Sequence, residues 1–452
     1  MDRPIAKRTL IKAAQVVTMD DARRVLPGGG IIVEGSQIDR VLTSSELGEV
    51  SGFPGAVIDA TRMTAIPGLI QTHIHLCQTI FRGLADDLAL LDWLTLRIFP
   101  FEAAHNAQSI RASSLLGLAE LLRSGTTTIM DMGSIHHEEE IVRAVDEAGI
   151  RAFVGKALMD LNDSYPPLKE STDDALASAA SQAAAWHGSS GGRVRYAVAP
   201  RFVLSCSDRL LRGAQEIAAS TPGVLFHSHA AENPLELEAV RRRCRMGNIE
   251  FFETLGLLTP ATCLAHCVWI SAAESGLLAR HRVKVLHCPS SNLKLASGIA
   301  NVPAMRMNGI TVSLGADGAP CNNSLNMFQE MKLAALIQKP AHGAGAMSAL
   351  SVFEMATIEG AKTLGLQHSI GSLEAGKKAD IVLLNMERAW NPSAGGDLYS
   401  ALVYSGGPEN VRSVMVDGEW LYEGGEYRRM EEQRIVDDAS RELRLLLNRA
   451  RP

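Results

Sequence analysis

The residues best equipped for chemistry are His73 and His75, two apart at the end of the apolar run PGLIQTHIH. On an extended strand, residues i and i+2 project to the same face, so both imidazoles can converge on one ion. His229 closes a later apolar run, GVLFHSHA, and Asp317 follows another, ITVSLGAD. Three imidazole nitrogens and one carboxylate suit Zn²⁺ or Fe²⁺ with a position left for water. An isolated H-x-H is often a surface or core histidine, so the weight rests on all four residues falling at strand ends. The expectation is one ion per chain, Zn²⁺ first and Fe²⁺ as the alternative.

Glu232 lies three residues beyond His229 in HSHAAEN, where the chain turns out of its strand. A carboxylate there can reach over the ion without ligating it and shuttle protons. The same position would also put negative charge near a helix N-terminus. His266, closing the run LAHC, can hydrogen-bond a developing oxyanion or be a satisfied structural histidine. Asp317 doubles as ligand and proton acceptor. His287 in VLHCPSSN is given no role, and His136 and His137, which run into three glutamates, read as a solvated helix start. Lys156 raises the idea of a carbamylated lysine bridging two metals. It belongs to the third apolar run, however, and the fourth offers only Pro200 and Arg201, so one metal is the simpler reading. The H-x-E and P-C-x-x-C signature of cytidine deaminases is absent: HAAE is H-x-x-E, and Pro320-Cys321 is followed by Asn322, Asn323 and Ser324.

These residues need a frame that brings strand ends together. Apolar runs alternate with Ala/Leu/Glu-rich helical segments such as SIRASSLLGLAELLRSG and EEEIVRAVDEAG, the pattern of parallel βα units. The runs number eight, from MTAIPGLIQTHIH through TTTIMDMG, IRAFVGKALMD, RVRYAVAP, GVLFHSHAAE, ATCLAHC and VKVLHC to ITVSLGAD. That count predicts a closed (β/α)8 TIM-like barrel, whose chemistry sits at the C-terminal ends of its strands. Short strands with Gly-rich corners occupy both ends of the chain, and VDGEW carries a tight-hairpin signal. The expected organisation is a composite β-sandwich domain built from residues 1–64 and 369–452, enclosing a barrel of residues 65–368.

The composition is that of a globular protein, 46% hydrophobic and 21% charged, with a net charge of −6 spread without long runs. This argues against a nucleic-acid or anionic-membrane surface and for a small-molecule partner. The opening MDRPIAKRTLIKAAQVV lacks the uninterrupted apolar core of a leader, and no later run is long enough to span a bilayer, so a cytoplasmic location is expected. Seven scattered cysteines, none in a C-x-x-C pair, read as reduced thiols.

Taken in order, PGLIQTHIH, HSHAAE, AHC, HCPSSNLKLASG, GADGAP and IGSLEAGKKADIVLLN resemble the cytosine, adenosine and guanine deaminase-like branch of the amidohydrolase superfamily, over almost the whole chain. The resemblance implies a mononuclear metal held by His73, His75, His229 and Asp317, with Glu232 and His266 as acid/base and polarising groups. It also implies a homo-oligomer. THIHLCQ, LLDWLTLRIFPFE, RAFVGKALMDLNDSYPPLKEST and APRFVLSCS look like segments of guanine deaminases. On that likeness Gln78 and Arg201 would hydrogen-bond a purine with Phe202 beside the ring. Trp93 and Glu102 match positions shared with methylthioadenosine/S-adenosylhomocysteine deaminases, where the glutamate binds ribose. GADGAPCNNSLNMFQEMKLAALIQKP departs toward the nucleoside and triazine hydrolases. The leading expectation is a hydrolytic deaminase of guanine or a guanine-like base. The alternatives are a deaminase of 5′-deoxyadenosine, methylthioadenosine or S-adenosylhomocysteine, then 8-oxoguanine, pterin or triazine hydrolysis. A non-catalytic binding protein on the same fold is the rival from another class.

Overall fold

The computed structural model describes residues 8–387 and 396–450; residues 1–7, read above for a leader, lie outside them. Strands Leu69–His75, Thr126–Asp131, Arg151–Val154, Val194–Pro200, Leu225–Ala230, Thr262–His266, Lys284–His287 and Val312–Leu314 pair in parallel, each with the next. Beyond Leu314 the chain continues to Asp317–Gly318, which pairs with Ile74 and His75 of the first strand and closes the ring. The (β/α)8 expectation is met.

Ile70, Met130, Phe153, Ala197, Leu225, Cys263, Ala265 and Leu286 form a buried cluster inside the ring, stoppered by Leu364, Leu366 and Ile370. This apolar plug explains the placement of the polar residues. Along the fifth strand, Leu225 lies in the plug, and alternation then carries His227 and His229 up the same face toward the mouth.

The run MTAIPGLIQTHIH, read as one strand, divides at Gly68. Ala56–Pro67 belongs to the terminal sheet, between Arg8–Val17 and Ile381–Leu384, and only Leu69–His75 enters the barrel. A Cβ at Gly68 would lie 2.0 Å from Thr127 Oγ1, so the crossing between sheets requires glycine. The third and eighth runs are likewise interrupted, with Ala157–Leu158 and Asp317–Gly318 as separate short strands.

Both ends of the chain build one β-rich domain, a sheet of nine strands among the described residues. VDGEW forms the expected hairpin: Asp417 and Gly418 have φ of 53° and 80°, the two positive values a type I′ turn needs. Arg151 of the third barrel strand joins the two parts, buried against Asp380 at 3.1 Å and Asp417 at 3.3 Å. The last helix, Glu432–Arg449, leaves the sheet and packs on the barrel, burying Ala439 and Leu446 with Ile80 and Phe81. It thereby supports the segment that follows His75. No helix among the described residues is long and apolar enough to cross a membrane.

Candidate active site

At the mouth of the barrel, ligand atoms of His73, His75, His229 and Asp317 lie within 4.8 Å of one another. His73 Nε2 and His75 Nε2 are each 3.3 Å from Asp317 Oδ1, and His75 Nε2 is 3.3 Å from His229 Nε2. His229 Nδ1–H donates to the Arg201 carbonyl at 2.7 Å, which leaves the Nε2 lone pair facing the cluster. His73 Nδ1 is bonded to His227 Nε2 at 2.8 Å, and its own Nε2 is buried without a hydrogen-bond partner. Burial pushes the His73 imidazole down to about 4 and that of His229 well below its ordinary value. Neutral rings aiming unshared lone pairs at one another and at a carboxylate are what a divalent cation relieves, so these residues fit a metal.

Asp317 and His266 both hold left-handed backbone, with φ of 62° and 72°. Such residues cost about 1–3 kcal/mol each and persist only where the surroundings over-determine them. The surroundings here are dense. Asp317 Oδ2 accepts from Ser291 Oγ at 2.6 Å, and Oδ1 from the Gly318 N–H at 2.8 Å. His266 Nδ1 is 2.9 Å from Asn292 Oδ1. Ser291 and Asn292 share a turn of helix after the seventh strand. The buried Glu330 carboxyl secures that turn by accepting from Ser290 Oγ at 2.5 Å and from Asn322 Nδ2 at 2.9 Å.

Glu232 Oε2 is 3.5 Å from His266 Nε2, and Oε1 accepts from Ser297 Oγ at 3.4 Å. Burial first, and the Asp317 carboxylate second, push the Glu232 carboxyl well above the usual carboxylate range. The following helix, Pro234–Cys244, is capped by Asn233 and Glu236, whose carboxyl accepts from the Glu232 N–H at 2.7 Å. Capping is therefore performed by other residues, and the Glu232 side chain faces the cavity.

That cavity, of about 410 Å³ and open to solvent, is lined by Gln78, Trp93, Arg201 and Phe202 beside the metal cluster, Glu232 and His266. Glu102 stands behind it. Its Oε2 accepts from Arg201 Nη1 at 2.6 Å and its Oε1 from Gln78 Nε2 at 2.7 Å. Burial would raise the Glu102 carboxyl, but the Arg201 guanidinium together with His75 and Gln78 outweighs it and holds the group below its ordinary value. Arg201→Ala would strand a buried carboxylate, and the expected cost is ~3–5 kcal/mol of stability. A denaturant midpoint equal to the parent protein's would contradict this; Arg201→Met with Glu102→Leu should recover most of the loss.

Lys156 donates its ammonium to the Ile135 carbonyl and lies 2.9 Å from Glu170. His287 is buried and pushed down to about 3 by burial, with neither ring nitrogen partnered. His136 is exposed as read, but Glu138 is not part of a solvated face: it is buried and accepts from the Ser134 N–H at 2.7 Å.

The sequence reading passed over His227, Ser291, Asn292 and Ser297. His227 and His229 repeat the H-x-H spacing of His73 and His75, which was a usable signal; the serines and asparagine sit in HCPSSNLKLASG without a spacing that marks them. His227→Phe keeps the volume but releases His73 Nδ1. Metal affinity should fall about 10–100-fold, as other supporting partners of metal histidines do. Unchanged metal content during competition with a chelator would refute that link.

Residues 64–421 match the amidohydrolase family. The chain belongs to that family. A 5′-deoxyadenosine deaminase of Methanothermobacter thermautotrophicus is 38% identical over 434 residues, covering 95% of this chain and 96% of its own. A 5-methylthioadenosine/S-adenosylhomocysteine deaminase of Nitratidesulfovibrio vulgaris is 39% identical over 449 residues, covering 98% and 97%. Among solved structures, an adenosine deaminase from Xanthomonas campestris with bound zinc superimposes with a TM-score of 0.90 at 29% identity, covering 98% of this chain and 99% of its own.

These relatives overturn the expectation of guanine as the substrate, because full-length similarity runs to enzymes of adenosine derivatives. Gln78 Nε2 and Arg201 Nη1, the donors assigned to a guanine-type base, are turned to Glu102. The departure noted after the eighth strand pointed the right way.

Proposed function

We propose that the chain is a zinc-dependent hydrolase that removes the 6-amino group of an adenosine derivative, with 5′-deoxyadenosine and methylthioadenosine as the leading substrates, releasing ammonia. The observation that carries the chemistry is Glu232, a buried carboxyl 3.5 Å from His266 beside four converging metal-ligand side chains. The full-length deaminase relatives support the choice of substrate.

His73, His75, His229 and Asp317 would hold the ion, which supplies a water of lowered pKa and a Lewis acid when bound. Asp317, fixed by Ser291 and Gly318, is placed to accept a proton from the attacking water. Glu232, kept protonated by burial, donates to the ring nitrogen next to the amino-bearing carbon and makes that carbon electrophilic. Recharged through Asp317, it then protonates the departing amine. His266 stands between the Glu232 and Asp317 carboxylates, at 3.5 and 3.9 Å. Asn292 Oδ1 orients the ring through Nδ1, so that Nε2 faces the position of the new oxygen. Trp93 and Phe202 flank the base, and Glu102, matched by resemblance to a ribose-binding glutamate, stands behind Gln78 and Arg201 and holds both.

Ammonia release should be measured from 5′-deoxyadenosine, methylthioadenosine, S-adenosylhomocysteine, guanine, 8-oxoguanine, a pterin and a triazine. The adenosine compounds should exceed guanine in kcat/KM by roughly 100-fold or more, since a site built for one hydrogen-bonding pattern rejects another. Guanine turned over as well as the best adenosine compound would overturn the reading.

A further inference from the structure

A second cavity, an apolar groove of about 870 Å³, adjoins the catalytic one, and Leu94 and Phe202 line both. Leu91, Phe99, Leu161 and Leu204 complete its apolar wall. Leu94 opens a π-helical turn, Leu94–Ile98, a geometry that occurs mostly at functional sites. The groove's polar rim is already engaged with itself. Asn162 Oδ1 accepts from the Tyr165 N–H at 2.8 Å and from Ser164 Oγ at 2.9 Å, while Asn162 Nδ2 is 3.0 Å from Met159 Sδ. Asp163 is 3.2 Å from Lys169.

We infer that this groove receives the 5′ substituent of the nucleoside whose base occupies the catalytic cavity, and that it selects short apolar substituents, methyl or methylthio, over an amino-acid tail. The inference rests on the reading of the chain as an adenosine-derivative deaminase. Leu94 and Phe202 line both cavities, and the group on the 5′ carbon is placed along them. A methylthio group gains by covering leucine and phenylalanine surface. A homocysteinyl tail must bring a carboxylate and an ammonium against that surface. The charges near the rim, Asp163 and Lys169, already face each other, and exchanging one exposed ion pair for another returns little.

The test uses the metal-loaded enzyme and initial rates on adenosine, 5′-deoxyadenosine, methylthioadenosine and S-adenosylhomocysteine. Methylthioadenosine and 5′-deoxyadenosine should exceed S-adenosylhomocysteine in kcat/KM by about 10-fold or more, with most of the difference in KM. Leu161, 37% exposed, tolerates replacement. Leu161→Arg should narrow the methylthioadenosine-to-S-adenosylhomocysteine ratio by offering the tail carboxylate a cation, and Leu204→Asp should raise KM for methylthioadenosine more than for adenosine. S-adenosylhomocysteine used as well as methylthioadenosine by the parent enzyme would overturn the groove's role while leaving deamination intact. So would a ratio that neither substitution moves. No turnover of any of the four nucleosides would sink the functional reading itself, and the groove's role with it.

Discussion

Glu232→Gln is expected to keep its metal and lose about 10²–10⁴-fold in kcat, the range that a positioned acid/base supplies. Glutamine preserves the volume of the side chain and an acceptor for Ser297, so the cavity should survive the exchange. What it removes is the acidic proton that can be given up and regained. Burial and the nearby Asp317 carboxylate hold the Glu232 carboxyl well above its ordinary range, which favours the protonated form that can donate. The sign of the pH dependence follows. Activity that needs the protonated form is retained below the elevated pKa and falls as pH rises through it. The variant should show only a low rate without that alkaline fall. Metal content by elemental analysis, kcat, and the pH profile check the three parts, and parent-like kcat in the variant would remove Glu232 from the mechanism.

Metal removal should have the other large effect, abolishing ammonia release and lowering thermal stability together. The His75 and His229 Nε2 atoms converge to 3.3 Å next to a buried carboxylate, and removing an ion from such a site would leave their lone pairs facing one another. An ion that binds only the folded chain stabilises it by roughly 4 kcal/mol at a thousandfold excess over its Kd. Chelation should therefore lower Tm by several degrees, and one equivalent of Zn²⁺ per chain should restore both Tm and turnover. Full activity after exhaustive chelation would contradict the assignment of the four ligands. Restoration that required two equivalents would instead bring Lys156 and a second ion back into consideration.

The barrel was legible because its rule is local: apolar runs separated by helical stretches, with the polar residues His73, His75, His229, His266 and Asp317 at run ends. Period-two alternation also placed His73 beside His75. Gly68 was not legible as the joint between two sheets, because the atom that forbids a side chain there belongs to Thr127, far along the chain. For the same reason the roles of His227, Ser291 and Asn292 emerged only once the strands closed. Each acts through a residue from another part of the barrel: His227 on His73, Ser291 on Asp317, Asn292 on His266.

The reading of the heterocycle shows the same division. Gln78 and Arg201 are donor-bearing residues in a guanine-like context, and sequence alone has no way to tell that both donate to Glu102. That pairing arises because the segment after the first strand and the loop after the fourth meet around one buried carboxylate. Residue type and spacing determined the fold class and the atoms able to bind a metal, since both depend on periodicity within single strands. The bond that orients His229, the upward shift of the Glu232 carboxyl and the engagement of Arg201 depend on burial and on partners distant in the chain, and only the tertiary structure revealed them.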